Sequence, residues 1–246
     1  MFKIILTPMV ATSKQTTFSP AAFSLGQRIH QAWKRFWLAG MGIFPTAQVS
    51  LVSPNPGEQA WYISPQALPA RPMVVSLGLA ENLSFDLAMV RDYRARVHGF
   101  DPTPASRAWV EKNILPADFH YHALAVAGHD GLLDLHERYG KGGRQKGPVF
   151  QRAPCRRLSG ISEELGLQEI DVLKMDIEGS EYDVLEDALG RKKFPQQIAV
   201  EFHHRFEEIG IQRTRQAHRL LSRHDYQLAH LSPWAEEFLY IKQETS

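Results

Sequence analysis

A chain of 246 residues, 43% of them hydrophobic, can bury a sizeable core, and its prolines and glycines are scattered rather than gathered into repeats. Its 28 basic and 27 acidic side chains leave a formal charge of +1, without the basic excess that gripping a phosphate backbone calls for. A single cysteine, Cys155, excludes an internal disulfide framework and suits a reducing compartment.

No apolar run approaches the roughly 18 residues needed to span a bilayer. The apolar stretch at the N-terminus is interrupted by Pro8 and is too short for a secretory segment. The expectation is a cytoplasmic protein acting on a small molecule, with neither nucleic acid nor membrane as partner. Its oligomeric state is not legible.

Residues 1–70 read as an N-terminal cap or substrate-recognition segment, punctuated by seven prolines. Within it, residues 23–38 form an amphipathic pattern in which Phe23, Ile29, Trp33, Phe36 and Trp37 fall near one face. That face is expected to pack on the rest of the protein or to wall an acceptor site. Residues 60–63 read as a short strand.

From residue 71 to 246 the pattern becomes regular and reads as the catalytic domain. Strands are expected at 73–77, 96–100, 120–126, 170–176, 197–202, 226–230 and 237–241. Helices are expected at 84–93, after Thr103 as N-cap with Pro104 at the first helical position, at 162–165, 180–189 and 213–223. Residues 139–157 read as a Gly-rich basic loop carrying Lys141, Arg144, Lys146, Arg152, Arg156 and Arg157, a clamp for an anionic acceptor, a mobile lid or simply solvated chain. Strands alternating with helices argue for an α/β fold with a doubly wound, mostly parallel sheet.

Two constellations carry chemistry. In the first, Ser76-Leu77-Gly78-Leu79-Ala80-Glu81-Asn82 leaves one strand and Asp101 leaves the next, 23 residues after Gly78. Small residues let backbone amides approach a nucleotide, and an acid at about this distance takes the ribose hydroxyls. Pro102 and Pro104 stiffen the turn that holds this carboxylate. A single-glycine loop counts against a dinucleotide, whose pyrophosphate needs the other glycines, and less against S-adenosylmethionine.

In the second, a buried strand ends in Lys174-Met175-Asp176-Ile177-Glu178-Gly179, and its neighbour ends in Glu201-Phe202-His203. Parallel strands would bring Asp176, Glu178, Glu201 and His203 to one rim. His203 titrates near neutrality and is a candidate general base, with Asp176 or Glu178 orienting an acceptor hydroxyl. The same donors suit Mg²⁺, Mn²⁺ or Zn²⁺, but strand ends do not fix a ligand set and no metal ligand is assigned.

The run from Val75 to Asp86, then Phe100-Asp101-Pro102-Thr103-Pro104, the run from Asp171 to Glu181, and Val200-Glu201-Phe202-His203 together resemble the FkbM-type methyltransferases. The resemblance covers residues 72–242. It implies a class I, Rossmann-like fold of seven strands with the last one antiparallel, S-adenosylmethionine as cofactor, and O-methylation of a sugar-type or other small acceptor. By the same resemblance Ser76, Gly78, Leu79 and the loop to Asn82 line the methionine end of the cofactor. Asp101 and Pro102 hold the ribose, and Ala123 to Ala125 lie near the adenine. The departure is Ala80, where many relatives carry glycine. A catalytically degenerate binding protein on this fold, and a metal-dependent hydrolase, are the alternatives.

Overall fold

The computed structural model describes residues 23–57, 60–140, 143–167, 169–189 and 195–243. Residues 1–22 of the expected N-terminal segment and Lys141 of the expected basic loop lie outside them.

Seven strands form one sheet in the order β3-β2-β1-β7-β8-β10-β9. They are β1 (Met73–Leu77), β2 (Arg96–Phe100), β3 (Phe119–His122), β7 (Val172–Met175), β8 (Gln197–Glu201), β9 (Tyr226–Leu231) and β10 (Glu237–Lys242). β1 pairs parallel with β2 and β7, while β10 runs antiparallel to both β8 and β9. Successive side chains of a strand point to opposite faces, so Val75, Leu77, Leu173 and Met175 enter one core layer. Val74, Val97, Val172 and Ala199 enter the other.

The first layer is closed by α4 (Leu158–Glu164), α5 (Glu181–Leu189) and α6 (Gly210–Arg223), through Leu158, Ile161, Leu185 and Leu221. The second is closed by α2 (Ser84–Tyr93), through Phe85 and Met89, and by α3 (Pro104–Lys112), through Trp109. Each fully buried large aliphatic or aromatic side chain contributes about 1.5–3 kcal/mol. As expected, Thr103 caps α3: its hydroxyl accepts from the Ser106 N–H at 3.3 Å, with Pro104 at the first helical position.

Residues 43–57 and 60–72 pack on the same sheet, through Ile43, Trp61 and Ile63 among others. Gln197 makes a buried two-point clasp with the Ser64 backbone, accepting from its N–H at 2.7 Å and donating to its carbonyl at 2.9 Å. Residues 60–63 do not form a strand of their own; Ile63 makes an isolated antiparallel bridge with Val52.

Two further expectations are corrected, and for α1 the packing alternative is not met. The helix α1 (Leu25–Gly40) forms, opened by a capping box of Ser24 and Gln27, but its aromatic face turns outward. Ile29 is 62%, Trp33 59% and Phe36 79% exposed, and the helix is fastened through Leu38 and an ion pair from Lys34 to Glu236. The expected third strand is two, β3 and β4 (Ala125–Val126), because β4 leaves the main sheet to pair with β6. The expected basic loop, 139–157, is largely strand β6 (Gln145–Arg156), which forms a β-hairpin with the preceding β5 (Gly131–Tyr139) and, with β4, a separate three-stranded sheet.

Candidate active site

The parallel strands β1, β2, β7 and β8 all end on one edge, where the turn after β1 lies between Asp101 and Asp176. Gly78 has φ +78°, and a Cβ there would sit 1.7 Å from the Asp176 carbonyl oxygen. Only glycine lets the two strand exits pass this closely. Lys174, buried below, donates to the Gly78 carbonyl at 2.9 Å and stands over the Trp61 ring.

Asp101 clasps the same turn. Its Oδ2 accepts from the N–H groups of Leu79 and Ala80, both at 2.9 Å. Its Oδ1 accepts from the Thr103 N–H at 2.8 Å and the Thr103 hydroxyl at 2.6 Å. A carboxylate offers about four acceptor positions, so the protein itself engages all of them in a side chain 4% exposed. The clasp holds Ala80 at φ +47°, a left-handed conformation in which the Cβ is strained.

The other residues of the first constellation divide between interior and rim. Ser76 and Leu79 are buried, so they present backbone rather than side chain to the edge. Ser76 lies against the buried Asp86, whose carboxyl is raised by burial despite the Lys174 charge. Asn82 is exposed and accepts from the Ser84 N–H at 3.1 Å, at the start of α2. Pro102 gives its carbonyl to Gln151. Ala123 is exposed, and Ala125 is buried where β4 pairs with β6.

The second constellation converges. Past β7 the chain turns sharply, with Glu178 at φ +54° and Gly179 at φ +108°. Glu181, the first residue of α5, is fully buried and points back into this turn. It accepts from the N–H groups of Ile177 at 2.9 Å and Gly179 at 3.1 Å, and its Oε1 stands 2.8 Å from His203 Nδ1. The opposite ring nitrogen, Nε2, lies 3.6 Å from Asp176 Oδ1 and 3.7 Å from both Glu178 Oε2 and Glu201 Oε1. Arg205 holds Glu201 at 2.9 Å and Glu236 at 3.3 Å.

Burial alone would depress the His203 pKa. Together the carboxylates of Glu181, then Glu178 and Glu201, outweigh it and push the imidazole up to about 9. Burial, then Asp176, raises Glu201 to about 7. The ring expected to act as base at neutral pH is thus surrounded by carboxylates that attract a cation to its position, whether a proton on the ring or another positive charge. His204 belongs elsewhere: burial lowers it to about 4, and the charges acting on it include those of Glu236 and Lys34.

Sequence reasoning missed Glu181 as a site residue, because an acid in a first helical turn suits the helix dipole and needs no further explanation. Its signal is the position two residues after Gly179, where a long carboxylate can fold back onto the turn. The hairpin was missed as well. It crosses the rim, with Gln151 donating to the Pro102 carbonyl at 3.0 Å and Arg144 donating to the Arg205 carbonyl at 3.2 Å. Between them Arg138 stacks over the Phe206 ring, pairs with Glu208 at 2.6 Å and reaches the Glu178 carbonyl at 3.3 Å.

A mainly parallel sheet of this strand order, with an antiparallel strand between β8 and β9 and acids gathered at the carboxyl edge, defines the class I methyltransferase fold. The chain belongs to the FkbM methyltransferase family, whose domain profile matches residues 78–228. It is 23% identical over 138 residues to the 2-O-methyltransferase NoeI of Sinorhizobium fredii, covering 46% of this chain and 56% of that one. Among solved structures, the FkbM methyltransferase of Methylobacillus flagellatus aligns with TM-score 0.47 and 18% identity, over 72% of this chain and 45% of that one. Fibrillarin of Aeropyrum pernix, solved with natively bound S-adenosylmethionine, aligns with TM-score 0.40 and 13% identity, over 73% and 68% of the two chains. The chain thus spans about half the length of the first two of these relatives. Among the described residues, no helix is long and apolar enough to cross a membrane.

Proposed function

We propose that this protein transfers a methyl group from S-adenosylmethionine to a hydroxyl of a small, sugar-type acceptor. The observation that carries the reading is the convergence of Asp176, Glu178 and Glu201 on the buried His203. This happens directly beside the Gly78 turn that Asp101 clasps. The family supports methyl transfer, and the 2-O-methyltransferase name of one relative supports oxygen as the acceptor atom.

The residues at the turn fit an adenosyl group. Gly78, Leu79 and Ala80 present backbone to the edge, and no pyrophosphate has to be cradled there. Of the four donors on Asp101, the Thr103 hydroxyl is the one that a side-chain rotation removes, which opens an acceptor position for a ribose hydroxyl. S-adenosylmethionine would supply the electrophilic methyl on its sulfonium.

The protein's part is to position the acceptor and receive its proton. Asp176 and Glu178 lie on the accessible side of the cluster, 36% and 63% exposed, and accept hydrogen bonds from an incoming hydroxyl. Glu201 lies behind them in the carboxylate set that takes up the proton. His203, fixed by Glu181, stands at the point where these three carboxylates meet. The hairpin β5–β6 limits water access to this edge, so that positioning and exclusion of solvent supply most of the gain.

Calorimetric titration with S-adenosylhomocysteine, followed by methyl transfer to a panel of sugar and polyol acceptors, tests the reading. Saturable binding with product formation is expected. Failure of S-adenosylhomocysteine to bind at millimolar concentration would reject it.

A further inference from the structure

We propose that Asp176, Glu178 and His203 form a seat for one divalent cation of the Mn²⁺ type. One donor atom from each of the three lies within 4.8 Å of the others. His203 Nε2 stands 3.6 Å from Asp176 Oδ1 and 3.7 Å from Glu178 Oε2. These gaps are too long for N–H···O hydrogen bonds, which run about 2.7–3.2 Å. Donors held ~2.0–2.2 Å from a shared ion, by contrast, stand roughly 3.0–3.6 Å apart. The two gaps to Nε2 fall at the outer edge of that range, so small side-chain rotations bring the donors onto one ion, whereas they are too wide for direct hydrogen bonds.

The imidazole is a second, independent indicator. His203 is wholly buried, and its Nε2 is aimed into the cluster with no hydrogen-bond partner. An unpartnered buried polar nitrogen costs about 1–3 kcal/mol unless something fills the position. The opposite nitrogen, Nδ1, lies 2.8 Å from Glu181 Oε1. A carboxylate behind a histidine is the usual support for a metal-ligating ring, because it fixes the orientation and raises the basicity of the free nitrogen. Glu181 is in turn tied down by the Ile177 and Gly179 amides, so the support is rigid.

The donor set indicates the kind of ion. Two carboxylates suit Mg²⁺ and Mn²⁺, whereas an imidazole is a poor partner for Mg²⁺, and no thiolate is present to select a soft ion. Glu201 lies 3.7 Å from Nε2 but is already engaged by Arg205, which leaves open positions on the side of Asp176 and Glu178. A vicinal diol or hydroxy-carbonyl acceptor would chelate there. That role toward the acceptor rests on the methyl-transfer reading; the binding of the ion does not.

The test is calorimetric titration of the purified chain with MnCl₂, alongside the electron paramagnetic resonance of bound Mn²⁺. One saturable site per chain is expected. Glu178→Gln, an exposed substitution that leaves the core untouched, should weaken it at least tenfold. Asp176→Asn should do the same, and Glu181→Gln should weaken it several-fold without removing a ligand. Absence of saturable Mn²⁺ binding, or binding unchanged in both Glu178→Gln and Asp176→Asn, overturns the proposal. A parallel titration with S-adenosylhomocysteine separates the two readings. If it fails to bind while Mn²⁺ binds, the methyl-transfer reading falls and the ion site stands. If it binds while Mn²⁺ does not, the ion site alone falls.

Discussion

Glu181 Oε1 stands 2.8 Å from His203 Nδ1, and both side chains are sealed from solvent. One carboxylate thereby joins the turn after β7 to the end of β8, since the same group accepts from the Ile177 and Gly179 amides. Rearranging any of the three contacts moves the whole acidic cluster.

Glu181→Gln should therefore destabilise the fold although it conserves shape. The amide keeps one acceptor but presents an NH₂ group where the turn amides or His203 need an oxygen. The expected cost is about 1–3 kcal/mol, the penalty for leaving a buried polar group unsatisfied. Urea denaturation should show a lower midpoint with an unchanged slope; an unshifted midpoint would mean that the contact contributes nothing.

Asp101→Asn tests the clasp on the first turn. Replacing Oδ2 by an NH₂ group sets a donor against the Leu79 and Ala80 amide donors. Affinity for S-adenosylhomocysteine should fall at least tenfold while circular dichroism stays native. Affinity within twofold of wild type would remove Asp101 from the cofactor side of the site.

Gly78→Ala should be the most damaging single-methyl change on the edge. The added carbon would meet the Asp176 carbonyl at 1.7 Å in a left-handed backbone conformation. Strain of about 1–3 kcal/mol from each source is expected. A melting temperature lowered by several degrees, or recovery only in inclusion bodies, would fit. A wild-type melting curve would show that the two strand exits can move apart freely.

The histidines on β2 and β3 set a pH dependence. Burial first, then His120, His122 and Arg96, lowers His98 from its ordinary 6.5 to about 4, and burial followed by His120 lowers His122. His98 Nδ1 and His122 Nε2 are 3.0 Å apart, within hydrogen-bond distance of each other. Between pH 6.5 and 4 the unfolded chain binds more protons at these rings than the folded one does. Their contribution is therefore fully present above 6.5 and is lost as pH falls toward 4. Wild type should lose more stability than His98→Asn between pH 7.5 and 5 in matched denaturation curves. Parallel losses in the two proteins would assign the dependence to other groups.

The seven strands of the main sheet were readable because buried strands are short apolar runs, and α3 announces itself through the Thr103 cap and Pro104. Asp176, Glu178 and His203 were readable for a related reason: acids and a histidine at the exit of apolar strands stand out. The hairpin β5–β6 was not, since its residues are half-exposed, rich in Gly and basic, and interrupted by register shifts. Such a segment has no period of its own and becomes strand only through pairing. The aromatic stripe of α1 was legible as a stripe, but periodicity records that a helix has two faces and not which one meets the sheet.

Local chemistry thus determined the doubly wound order of elements, the glycine at position 78 and the family motifs. Tertiary structure decided what those groups touch. Asp101 became the clasp of a turn because the strand beside it delivers two amides to its carboxylate. Glu181 became the support of His203 because two strands and a helix start meet around one buried point. Hydrogen bonds between residues far apart in the chain depend on distances of a few tenths of an ångström, and no spacing along a sequence encodes those.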